Sequence, residues 1–301
     1  MIVNKQNLNT IYVGVKAAFN KRYGEATPLY PQISTKIPST NKSNAYPFLG
    51  SFPSLQEWVG ERVIKNLIAH NFSIENRKFE STVSISREDI EDDNIGMVPS
   101  MVSDMADAAA NHPDELLFEL IKQGFSKKCY DGQPFFAATH PLTLDGKETT
   151  ISNIQVPATP ADEKPLWILL DTTRPINPFI WQERIPYEIQ QLNDDKDSAA
   201  FMTDKYFYGI RGRGNMGYGF WQMAFASKND LTTENFNDLY DRMCSQKNDA
   251  GRPLRIKPTI LLVGMKNREA AFNIAKAQTL DNMKPNPNYG LVEVIVTPFL
   301  D

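Results

Sequence analysis

Tyr46-Pro47-Phe48-Leu49-Gly50 and Phe52-Pro53-Ser54-Leu55-Gln56-Glu57-Trp58-Val59-Gly60 place four aromatic side chains, two prolines and two glycines within fifteen residues. Prolines hold extended backbone and glycines break regular structure, so this stretch is poorly suited to pack on itself. Upstream, residues 24–47 carry four prolines among Ser, Thr, Asn and Lys, again an extended composition. Leu8, Ile11, Tyr12, Val15, Ala18 and Phe19 recur at helical spacing and predict one short amphipathic helix at the tip of this arm. An extended arm with a helical tip must find its contacts on the body or on a neighbouring copy.

Downstream, Phe79, Val83 and Ile85 share one parity while Glu80, Thr82, Ser84 and Ser86 fill the other, as a half-buried strand requires. Asn76-Arg77 reads as a turn. A strand pair over residues 60–85 would be long and thinly packed, a form that persists when a partner covers it. Ser86 and Asp89 match a capping box at the start of the acidic run Ser86-Arg87-Glu88-Asp89-Ile90-Glu91-Asp92-Asp93-Asn94. Beyond it Val98, Met101, Val102, Met105 and Ala109 repeat every three or four residues. Leu116, Leu117, Leu120 and Ile121 continue the stripe past Pro113 to Gly124. One long kinked helix over about 97–123 follows.

Composition sets the outer limits. A chain of 301 residues, 41% hydrophobic and 23% charged, can bury a substantial core in one elaborate domain or two lobes. Net charge is −4 with acids and bases interspersed, which is not the basic stripe of a surface that grips nucleic acid. No apolar run reaches 18 residues, and Lys16, Lys21 and Arg22 punctuate the N-terminal apolar stretch, so neither membrane span nor signal core is expected. Cys129 and Cys244, far apart, read as reduced thiols.

Strands are expected at Trp167–Leu170, Phe179–Gln182, Tyr218–Ala226, Ile260–Val263 and Leu291–Val296. Helices are expected from Thr232 to about Gln246 and from Lys266 to Gln278. The stretch from 229 onward reads as a compact α/β lobe. Gly212-Arg213-Gly214-Asn215-Met216-Gly217 spells a dinucleotide fingerprint, but the aromatic, strand-like Tyr218–Met223 follows where a helix should. It reads as a glycine-rich bend between strands. The acids at 88–93 lack the alternation and central glycine of a calcium loop. His70, His112 and His140 have no metal-pair spacing, and proximity of His140 to Cys129 in sequence says nothing of catalytic geometry. No catalytic, cofactor or metal residue is assigned. Phe48, Phe52, Trp58, Trp181 and Trp221 are candidates for exposed aromatic anchors, with core burial an equal reading for Trp181 and Trp221.

Taken together, several runs resemble the Mu-like phage major head protein family. They are Phe52 to Gly60, the strand from Phe79-Glu80 through Ile85-Ser86-Arg87, Glu91 to Asn94, and Pro113 to Leu116. Further on come Cys129 to Gly132 with Phe135-Phe136 and His140-Pro141, Pro178 to Ile180 with Gln182, Gly219 to Met223, and Lys257 to Thr259. The resemblance covers nearly the whole chain and implies an α+β, Hong-Kong-97-like capsid fold. On that expectation residues 1–45 form the N-terminal arm and 46–94 an extended β-hairpin loop. Residues 95–228 form a peripheral domain built on the spine helix of about 97–123, and 229–301 an axial domain.

Segments such as Trp167–Leu170 and Tyr206–Arg213 precede the axial lobe here. The resemblance implies that in many relatives such segments close the chain, so a permuted connectivity is expected, in which the chain ends in the axial domain; a chain end beside the spine helix and far from the capsomer centre would overturn it. The resemblance implies hexamers and pentamers closing into an icosahedral head around packaged double-stranded DNA. A scaffolding protein, a maturation protease and a portal are implied as partners, with assembly in the host bacterial cytoplasm and no membrane. Candidate inter-subunit contacts are Phe48, Phe52, Trp58, Glu61, Arg62, Phe72, Arg77 and Phe79. Two other readings stay open: a tail or decoration subunit of the same virion, and a nucleotide-binding enzyme using the Gly212 loop.

Overall fold

The computed structural model describes residues 2–47, 72–144, 147–192, 198–248, 251–280 and 283–301. Helices α1 (Lys5–Glu25) and α2 (Tyr30–Ile33) lead into strands β1 (Ser34–Pro38), β2 (Ser43–Ala45), β3 (Ser73–Glu75) and β4 (Arg77–Ser86). After α3 (Arg87–Glu91) comes α4 (Val98–Gln123), then β5 (His140–Leu144), β6 (Lys147–Ile151), β7 (Ile154–Gln155) and β8 (Trp167–Leu170). The long strands β9 (Phe179–Leu192) and β10 (Lys205–Tyr218) have α5 (Ser198–Thr203) between them in sequence. Strand β11 (Ala224–Ser227), α6 (Thr233–Cys244), β12 (Ile260–Val263), α7 (Arg268–Ala275) and β13 (Glu293–Val296) follow.

Helix α4 is the predicted spine, and half of its 26 residues are buried. Its first half (Val98, Val102, Met105, Ala106, Ala109) lies in a core shared with α1 and the long-strand sheet. Its second half (Leu116, Leu117, Phe118, Leu120, Ile121) lies in the main core with the other large sheet. Pro113 sits inside the helix near the changeover, where it lacks the N–H that would close a helical hydrogen bond. Gly124 ends the helix, but with φ −59°, so no left-handed cap is involved. A Cβ there would come within 2.6 Å of the Phe136 ring; absence of a side chain, not backbone freedom, is what this position requires.

The sheet of long strands has the order β1-β9-β10-β4, with β1 parallel to β9 and the other pairs antiparallel. Asn76 is therefore no hairpin turn: β3 pairs with β2, and β4 pairs with β10 across ten residues. Between Arg211 and Arg213 the β9–β10 register slips, with Pro186 and Tyr187 opposite the single Gly212. A bulge at a proline without a ladder N–H accommodates the extra residue.

Gly212–Gly217 is not a bend. It runs inside β10, and its glycines make room for neighbours. Added Cβ atoms would lie 2.5 Å from the Tyr187 ring at Gly212, 2.7 Å from the Gln182 carbonyl at Gly214, and 2.1 Å from Ile74 at Gly217.

The second large sheet runs β13-β12-β8-β11-β7. Strands β7, β8 and β11 precede residue 229 and β12 and β13 follow it, so this sheet crosses the boundary expected there. The lobe from 229 is not a separate unit of sheet. The chain end lies in the same core as this sheet, with Asp301 accepting the Lys266 N–H. The turn Pro298–Leu300 also packs against α4, and Phe299 stacks on Phe118 with ring centroids 4.9 Å apart.

Replacing Gly214 by Ala should lower stability by about 1–3 kcal/mol, because the carbonyl of Gln182 and the Trp181 ring must both give way. Urea denaturation of the unassembled chain measures this; an unchanged midpoint would show that the strand shifts freely.

Candidate functional site: the arm and the root of the excursion

The arm is built onto its own body. Asn4 caps α1 by accepting the Asn7 N–H, and the helix runs 21 residues, longer than the short helix expected. Leu8, Val15 and Phe19 form one buried stripe over the first half of α4, where Ala106 and Ala109 permit close approach. The Tyr12 hydroxyl donates to the Ile189 carbonyl at 3.3 Å, and Arg22 pairs with Asp107 at 2.7 Å.

A second anchor lies at Asp114. Expected at the start of a helical turn, it is buried mid-helix and accepts the backbone N–H groups of Leu29 (2.8 Å) and Tyr30 (2.6 Å). Burial raises its carboxyl while the two N–H bonds act in the opposite direction. Beyond it the ring of Tyr30 meets Trp181 edge-on, and β1 adds to β9 with Lys36 paired to Glu183 at 2.6 Å.

The segments that flank residues 48–71, one ending at Pro47 and the next resuming at Phe72, are clamped together by polar side chains. Gln182, fully buried in β9, accepts the Tyr46 hydroxyl at 2.7 Å and donates to the Ile74 carbonyl (3.0 Å) and to Asn76 Oδ1 (2.8 Å). Asn76 in turn donates to Ser39 Oγ and to the Asn41 carbonyl, both at 2.8 Å. Outgoing and returning segments thus share one buried network. Such a network is strong when satisfied and costly when broken.

Of the expected contact residues, Phe48, Phe52, Trp58, Glu61 and Arg62 lie outside the described residues. Phe72 is half-buried against the main core. Phe79 is half-buried, its ring 4.2 Å from that of His112 on α4. Arg77 is exposed, with its guanidinium 5.3 Å above the Phe79 ring. Trp181 and Trp221 are each only 2% exposed, which removes them as surface anchors. Helix α3 opens as the capping pair predicts, with Ser86 Oγ accepting the Asp89 N–H.

Residues that spacing could not assign do converge elsewhere. Cys129, Asp131 and His140 place donor atoms within 4.8 Å of one another. His140 Nδ1 is 2.6 Å from Asp131 Oδ2, closer than the roughly 3.4 Å that separates two ligands of one tetrahedral zinc ion. Burial first, then the charge of Asp131, pushes the Cys129 thiol well above its ordinary range, so it is no thiolate nucleophile. These side chains are bonded to each other. Gln182, Asp114 and Asn76 were missed; for Gln182 and Asp114 the available signal was a polar residue inside an apolar strand or helix face, while Asn76, between β3 and β4, carried none.

A single spine helix under an arm and a long-strand sheet, with a clamped excursion, defines a shell-building subunit of the Hong-Kong-97-like capsid fold. The family described as Mu-like prophage major head subunit gpT matches residues 8–300. The major capsid protein of Escherichia phage Mu is 35% identical over 305 residues, covering 100% of both chains. The Mu-like prophage FluMu major head subunit of Haemophilus influenzae is 37% identical over 274 residues, 90% of this chain and 89% of that one. A subunit in the procapsid of bacteriophage JBD30 superposes with a TM-score of 0.89 at 42% identity, covering 99% of this chain and 100% of that one. The chain belongs to the Mu-like major head subunit family and is a major capsid protein of a tailed phage.

Two substitutions test the anchors. Phe19→Ala should cost about 3–5 kcal/mol by emptying the interface of α1 with α4. It should also make the arm the first site of limited proteolysis. Gln182→Leu should cost at least about 2 kcal/mol, since it removes three hydrogen bonds from one buried network, at about 1 kcal/mol or more each. A loss below about 0.5 kcal/mol in urea denaturation would remove the clamp from this account.

Proposed function

We propose that the chain assembles as hexamers and pentamers of an icosahedral head that encloses packaged double-stranded DNA. The observation that carries this is the clamped root: the segments flanking residues 48–71, a stretch that holds Phe48, Phe52 and Trp58, are joined by one buried network around Gln182. A rigid root lets a segment bear on a neighbouring copy. Phe48, Phe52, Trp58, Glu61, Arg62 and Arg77 are the residues we assign to that contact, with Phe72 and Phe79 supporting its base from within the chain. The peripheral domain is built on α4 and the long-strand sheet, and the axial domain on the five-stranded sheet with α6 and α7. Scaffolding protein, maturation protease and portal are the partners inferred, with assembly in the host cytoplasm. Weak contacts repeated round a closed lattice add to a stable shell. DNA inside needs no strong basic surface, consistent with a net charge of −4.

Negative-stain electron microscopy of the overexpressed protein, with and without its scaffold, should give closed shells or hexameric sheets. Rings, tubes or trimers would favour a tail or decoration role, and monomers under both conditions would overturn the assembly reading. The Phe52→Ala, Trp58→Ala double variant should keep the melting temperature of the unassembled subunit within about 2 °C while sharply reducing shell yield. Parallel loss of both would place these side chains in the subunit's own fold.

A further inference from the structure

The loop after the spine helix holds a charge-state problem with one solution. Asn153 is fully buried, and its amide orientation is set on three sides. Its Nδ2 donates to the carbonyls of Phe135 (2.8 Å) and Ala224 (3.1 Å), and its Oδ1 accepts the Ala137 N–H at 2.8 Å. Turning the amide over would oppose like groups at all three contacts. Oδ1 therefore faces His140 Nε2, 3.2 Å away, and that nitrogen must carry hydrogen.

The other ring nitrogen, Nδ1, lies 2.6 Å from Asp131 Oδ2. The second carboxylate oxygen already accepts the Gln133 N–H (3.0 Å) and the Cys129 thiol (3.1 Å). Two hydrogen bonds accepted on that oxygen favour the ionised carboxylate, which leaves the hydrogen between the pair on Nδ1. Finally, the His140 ring lies flat on the Trp221 indole, centroids 3.9 Å apart and planes within 9°. Two neutral rings avoid face-to-face stacking, whereas a cation over an indole face is attracted to it.

We propose that His140 is a buried imidazolium, with hydrogen on both ring nitrogens, held by the Asp131 carboxylate and the Trp221 face. The cation latches the loop at the end of α4 to the five-stranded sheet. Phe136 ties that loop to Gly124, and Asn153 ties it to β11 through Ala224 and Ala226. The other titratable groups around the pair, Cys129, Tyr130 and Tyr218, are kept neutral by burial, so they neither compensate nor compete. Burial works against the charged form of Asp131, but the hydrogen bond and charge of His140, with the hydrogen bonds from the Cys129 thiol and the Gln133 N–H, together hold the carboxyl below its ordinary range. A lowered carboxyl stabilises the fold above the unfolded-state range and loses that contribution as pH falls through its folded value. The latch is therefore released by acid. None of this depends on what the chain assembles into.

The test is a long-range proton–nitrogen correlation of the histidine rings in the ¹⁵N-labelled, unassembled full chain. There are three histidines, and a His70→Gln, His112→Gln variant leaves His140 alone should His140→Gln not fold. At about pH 8, above the ordinary imidazole range, His140 should show both nitrogens protonated, and Asp131→Asn should convert it to a singly protonated ring. A singly protonated ring in the wild type at that pH would overturn the proposal. So would an equimolar metal ion in elemental analysis of the purified protein, since the cation between the two side chains would then not be a proton.

Discussion

The spine helix is the constraint on which the remaining structure depends. Its first half forms a wall of the core beneath α1 and the long-strand sheet, and its second half a wall of the core beneath the five-stranded sheet. At 1.5 Å per residue it extends about 39 Å, so two hydrophobic centres are held at a set separation by one hydrogen-bonded rod. Apolar burial alone would let two such centres slide, because it has no direction. A shared helix supplies the direction. Pro113 falls where one core gives way to the other, a place where a missing backbone hydrogen bond disturbs neither set of contacts.

Buried polar groups do the complementary work at the joins. Asp114 meets the arm, Gln182 and Asn76 hold the root of the 48–71 excursion, and Asn153 with His140 holds the loop after the spine helix. Each sits where irregular chain must be placed against regular structure, and each satisfies backbone groups that would otherwise be stranded away from water. A shell subunit has particular use for this device. The starting points of its arm and of the 48–71 segment must be oriented the same way in every copy.

Much of this was legible in the chain. The periodicity from Val98 to Ile121 identifies the spine helix almost to the residue, and Trp167–Leu170, Ile260–Val263 and the Thr232-capped helix are similarly plain. The long strands were not. Strand β10 is masked by glycines that look like a bend, and β9 carries Pro186 and a bulge that break its alternation. Trp181 and Trp221 read equally as surface anchors or core, because what buries them is assembled from distant segments. The lobe after 229 looked self-contained because its partners β7, β8 and β11 lie upstream.

The sequence by itself determined the local elements, the family and thereby the role in a phage head. Helical and strand periods are written in neighbouring residues, and family likeness is carried by short runs in order. Tertiary structure alone decided that the arm lies on its own body, that the five-stranded sheet crosses residue 229, and that Gln182 and His140 sit at the centres of polar networks. Most of those facts rest on distant pairs, such as Tyr46 with Gln182 across 136 positions, whereas His140 meets Asp131 and Asn153 only 9 and 13 positions away, through loop geometry that no period describes. No local pattern records which distant segment supplies a buried polar group with its partner.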